Sequence, residues 1–79
     1  MVKVKNVLLE GEILSFEYYP EGESDGGYFK TDLTTETIIE WRKAHKHSSI
    51  KYLTHALHRI EQYIKNGEII PIEFIVAWY

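Results

Sequence analysis

Val2 and Val4 alternate with Lys3 and Lys5, and after Asn6 the chain runs Val7-Leu8-Leu9, a pattern that suits a strand with one buried face. Glu10-Gly11-Glu12 interrupts it as a tight turn. Beyond the turn, Leu14, Phe16 and Tyr18 fall on one side of an extended chain while Ser15 and Glu17 fall on the other, the period of two that marks a half-buried strand. The two runs predict a hairpin. Residues 20–27 combine Pro20 with Gly22, Gly26 and Gly27 and with Glu21, Glu23 and Asp25, which disfavours both strand and helix and predicts a mobile acidic loop.

Residues 28–33 read as a third strand and 37–42 as a fourth, joined at Thr34-Thr35-Glu36. A short helix over 35–44, capped by Thr35 and carrying Ile38, Ile39 and Trp41, competes with the fourth strand. The strand is preferred because threonine and β-branched residues lower helix propensity there. Next, Ile50, Leu53, Leu57, Ile60 and Ile64 recur at spacings of three and four, one stripe roughly 80° wide on an α-helix. Ser48 or Ser49 offers an N-cap and Gly67 a left-handed C-cap, so a helix is expected over 49–66. From Ile69 to the end the pattern turns β again: Ile70, Ile72, Phe74, Val76 and Trp78 share one face, and Ile75, Ala77 and Tyr79 the other. The expected fold is a single α+β domain over 1–79, a small, mainly antiparallel sheet in the order β-β-β-β-α-β with one amphipathic helix on one face.

Composition adds a question of coverage. Of the 79 residues 44% are hydrophobic and 14% aromatic, a richer supply than a core of this size consumes. The terminal strand is apolar on both faces, and one helix covers only one of them. A homodimer is therefore expected, with Ile75, Trp78 and Tyr79 at its interface. The chain lacks cysteine, which excludes disulfides and thiolate metal sites. With neither a signal peptide nor a run of 18 apolar residues in view, a cytoplasmic protein without membrane contact is expected.

Charge is segregated along the chain beneath a net value of −3. Residues 41–60 hold Arg42, Lys43, Lys46, Lys51, Arg59 and all four histidines without a carboxylate, whereas 6–29 hold six acids without a base. Arg42, Lys43, Lys46, His47, Lys51, His55, His58 and Arg59 are the candidate anion- or partner-binding residues, gathered about the positive end of the expected helix. His45, His47, His55 and His58 can be written as a four-nitrogen metal site, but neighbouring lysines repel a cation and no metal site is assigned. Glu21, Glu23, Asp25 and Asp32 match a calcium loop only poorly, because the bidentate glutamate is missing. No glycine-rich phosphate loop or nucleophile elbow is present, so no catalytic residue and no cofactor is expected. The reading is of a small non-enzymatic protein-interaction module, working through an aromatic and apolar sheet surface and a basic, histidine-rich region upon an unidentified protein partner. The alternative is a nucleic-acid-binding accessory or regulatory protein that uses residues 42–59.

Overall fold

Alternation of side chains orders the first four strands. β1 (Val2–Glu10) and β2 (Ile13–Pro20) pair antiparallel across a two-residue turn in which Gly11 takes φ 61°, a conformation that glycine adopts without a Cβ penalty and that matches the twist of a tight hairpin. β3 (Gly27–Asp32) and β4 (Thr37–Arg42) continue the meander. At their turn the Asp32 carboxylate accepts hydrogen bonds from the backbone N–H groups of Thr34 and Thr35, at 2.9 and 3.2 Å. After the helix α1 (Ile50–Lys65) the chain returns as β5 (Phe74–Val76), antiparallel to β1. The computed structural model describes residues 1–44 and 50–77. Within them the protein is an α+β fold, a five-stranded antiparallel sheet in the order β4-β3-β2-β1-β5 with one helix packed on one face. Residues 37–42 form a strand, as their β-branched content favours, and the helical alternative is not adopted.

Val2, Val4, Leu14, Phe16, Tyr18 and Phe29 point to the helix side of the sheet and are buried. Their rings make an aromatic core. Phe29 stands 5.7 Å from Phe16 and 6.3 Å from Trp41, and the Trp41 indole N–H donates to the Tyr18 hydroxyl at 3.1 Å. Against this surface α1 buries Tyr52, Leu53, Ala56 and Ile60. The expected stripe is only partly core: Leu53 and Ile60 are buried and Leu57 is half-buried, but Ile50 and Ile64 are 60% and 39% exposed. Taking 100° per residue, the helix is turned roughly 65° from the orientation that hydropathy implies. The reason is steric. A sheet face already filled by rings is approached most closely through a small residue, Ala56, and Tyr52 adds ring area that a count of aliphatic residues overlooks.

The last strand departs further from expectation. Of the stretch 69–79 expected as strand, Phe74–Val76 alone is strand among the described residues, and it lies at the sheet edge rather than between two neighbours. Pro71 has a fixed φ and no N–H, so a regular ladder cannot run through it. Beside the short β1–β5 ladder, the Val7 N–H donates to the Ile72 carbonyl at 3.1 Å, and Lys3 and Lys5 of β1 stand 3.8 and 4.0 Å from the Glu73 carboxylate. Ile69 and Ile72 are left exposed.

Candidate interaction surfaces

The face of the sheet turned away from α1 carries Lys3, Lys5, Glu17, Tyr19, Tyr28, Lys30, Glu40 and Arg42, as the strand registers require. A bulge in β1 between Lys5 and Leu8 places Asn6 in the left-handed region, φ 53°, and aims its amide at Glu17. Asn6 Nδ2 donates to one Glu17 carboxylate oxygen at 2.8 Å, and the Tyr19 hydroxyl donates to the other at 2.6 Å. The Tyr19 and Asn6 hydrogen bonds hold the Glu17 carboxyl below its ordinary pKa, while the bond to Glu17 pushes the Tyr19 hydroxyl above its own. Lys5 lies 5.3 Å from the Tyr19 ring centre and Arg42 5.9 Å from that of Tyr28. Around Glu17 this face is charged and hydrogen-bonded, while toward the hairpin turns Leu8, Ile13 and Ile39 line a hollow on it with Ser15, Tyr28 and Lys30.

The residues singled out for anion or partner binding do not all meet. Lys51, His55 and His58 share the outer side of α1, with His58 exposed. Arg59 lies toward Tyr63 and Glu68, where it lines a shallow hollow with Gln62 and Asn66. Arg42 stands on the open sheet face, and the Lys43 ammonium sits 5.3 Å from the Trp41 ring centre. Lys46 and His47 lie outside the described residues, as do His45, Ser48 and Ser49. Among the described residues no three histidine, aspartate or glutamate side chains come together in a metal-binding group. Ile75 is exposed on the open face of β5, opposite Lys3, and Trp78 and Tyr79 lie outside the described residues.

Two surfaces escaped the sequence reading. The first is the outer edge of β4, a sheet edge of six residues with Ile38 and Ile39 about half exposed and Trp41 half-buried. Register places Glu40 opposite Lys30 and Arg42 opposite Tyr28, so both β4 charges project from the open face while Trp41 projects toward the helix side. The second lies along one flank of α1. One hollow of about 480 Å³ is lined by Val7, Leu9, Ile64, Glu68, Ile69 and Ile70. Another, of about 280 Å³, is lined chiefly by Phe29, Leu33, Ile38, Leu57 and the carboxylates of Asp32, Glu36 and Glu61. The strand pattern alone announces an edge; the hollows depend on the rotation of the helix, which exposes the apolar flank that hydropathy assigns to the core.

No helix among the described residues is long and apolar enough to cross a membrane. Comparison of the chain with protein-family models, with curated proteins and with solved structures finds no match.

Proposed function

We propose that the chain is a small, non-catalytic protein-interaction module that works as a homodimer, joined edge to edge through β4. The observation that carries this reading is the self-complementarity of that edge. If two β4 strands pair antiparallel about a two-fold axis at Trp41, Glu40 of each copy faces Arg42 of the other, on the same face of the merged sheet. Trp41 faces its own counterpart. An apolar edge strand with unpaired backbone groups is a template for such pairing, and β4 carries no proline or inward-pointing lysine to prevent it. The non-catalytic part of the reading draws on the placement of Glu17 and Tyr19. Glu17 and Tyr19, whose titration the fold shifts, bond to each other on an open sheet face rather than in a concave site.

Sedimentation equilibrium tests the dimer. The parent chain is expected as a dimer at micromolar concentration, and Glu40→Arg or Arg42→Glu, each of which sets like charges across the axis twice, is expected to weaken it about tenfold. The double swap restores the pairing. A parent that sediments at 9.3 kDa throughout rejects the dimer. Dissociation by Ile75→Glu, with the charge swaps silent, moves the interface to the opposite edge. The nucleic-acid reading draws on Lys51, His55 and His58 sharing one side of α1; oligonucleotide binding at about 50 mM salt that falls on Lys51→Gln and His58→Gln would favour it.

A further inference from the structure

Leu57, Glu61 and Ile64 stand at i, i+4 and i+7 of α1, so they form one flank of the helix about 10 Å long. Beneath that flank lies the end of the sheet at which β1 turns into β2 and β3 into β4. The hollow at Leu57 is floored by Phe29, Leu33 and Ile38, and the hollow at Ile64 by Val7 and Leu9, with Ile69 and Ile70 as its outer wall. Glu61 stands on the flank between them. The two hollows share no lining residue; each is lined by a side chain of this flank, two helical turns apart, and taken together they offer two seats to a single ligand, here called the groove.

The groove is apolar within and acidic around. Asp32, Glu36, Glu61 and Glu68 are among its lining residues, and among the described residues no lysine or arginine is. Glu12, in the turn between β1 and β2, adds negative charge at the same end of the sheet, as does Glu10 at the end of β1, from the open face. The chain's charge pattern explains how this comes about. An eight-residue strand, β2, carries Glu10 and Glu12 about 26 Å from Glu21, Glu23 and Asp25, so the acidic stretch of the sequence is split between the two ends of the sheet. Arg42, Lys43 and Lys51 belong to the far ends of β4 and α1, away from the groove.

We infer that this groove is a docking site for a cationic amphipathic helix of a partner protein, one with large apolar side chains at i and i+7 and lysine or arginine between and beside them. Two apolar anchors i and i+7 on a helix are about 10.5 Å apart, the same rise that separates Leu57 and Ile64, the α1 side chains that line the two seats. Their basic neighbours meet the carboxylates at the rim, which selects for cationic segments and speeds encounter. The inference rests on the reading of the chain as an interaction module but is independent of its pairing through β4.

The probe is a fluorescently labelled Leu/Lys peptide of 16 residues with its leucines on one helical face, compared with a peptide of the same composition in scrambled order, by anisotropy at about 150 mM salt. The amphipathic peptide is expected to bind at least tenfold more tightly than the scrambled one. Ile64→Glu and Ile69→Glu replace exposed side chains and leave the core intact, and each should weaken binding at least tenfold. Glu61→Lys should weaken it severalfold, and Ile75→Glu, on the far face of the sheet, should leave it unchanged. Equal binding of both peptides, or full binding by the Ile64 and Ile69 variants with native circular dichroism, overturns the proposal. If instead Ile64→Glu and Ile69→Glu dissociate a dimer while the peptide fails to bind, a second copy fills the groove. A parent chain that sediments as a monomer at 9.3 kDa while the amphipathic peptide still binds would overturn the pairing through β4 and leave this site standing.

Discussion

Gly27 pairs with Tyr18 across β2 and β3, and the Tyr18 ring lies where a Gly27 side chain would stand. A Cβ there would fall 2.4 Å from the ring and 2.6 Å from the Arg42 carbonyl, both closer than atoms tolerate. Tyr18 is buried and bonded to Trp41, so it cannot move aside cheaply. Gly27→Ala is expected to lower stability by about 1–3 kcal/mol in urea titration, the range for overpacking a core. Glu17 offers a second test. Its carboxyl pKa is lower in the folded chain than in the unfolded one, so its contribution to stability is present above the unfolded value and is lost as pH falls through the folded one. Parent and Glu17→Gln should therefore differ more in stability at neutral pH than near pH 3, a value chosen as roughly within the carboxylate range. An unchanged difference at the two pH values would show that the Asn6 and Tyr19 bonds do not act on the ionised form.

For the helix, rotation decides which substitution matters. Ile60 is fully buried and should lose about 2–5 kcal/mol on replacement by alanine, whereas Ile64→Ala, on the exposed flank, should lose less than about 1 kcal/mol. Equal losses at the two positions, measured by urea titration, would mean that the helix sits as hydropathy alone suggests. The end of α1 follows sequence closely. Gly67 takes φ 68°, its N–H donates to the Ile64 carbonyl at 3.1 Å, and the Glu68 N–H donates to that of Tyr63 at 2.9 Å. Only glycine enters that conformation without strain, so the stop signal was legible before any tertiary contact formed.

At the level of the whole molecule, the five strands and one helix of the described residues leave two edges and one sheet face without a covering element among those residues. The proposed self-association through β4 would link stability to concentration, because a dimer that forms only from folded chains draws the folding equilibrium toward itself. The thermal midpoint is expected to rise by several degrees between about 1 and 100 µM chain, and in Arg42→Glu the rise is expected to need about tenfold more protein. A midpoint independent of concentration would count against the dimer irrespective of where its interface lies.

The sequence by itself determined the elements whose cause is local. Alternation at Leu14, Phe16 and Tyr18 specified which face of β2 is buried, Gly11 its turn, the β-branched run of 37–42 a strand rather than a helix, and Gly67 the end of α1. Each follows from backbone sterics or from a period of two. The tertiary structure alone decided the rotation of α1, the edge position and short length of β5, and the meeting of two apolar seats with four carboxylates. These depend on how bulky rings on the sheet oppose Ala56 and Tyr52, on which strands become neighbours, and on the turns of distant hairpins reaching the same end of the sheet. Hydropathy assigns Ile64 to the core because it knows the period of a helix but not the shape of the surface beneath it. The same ignorance hides the two hollows, whose walls come from β1, β3, β4, α1 and the segment that follows α1, brought together only by folding.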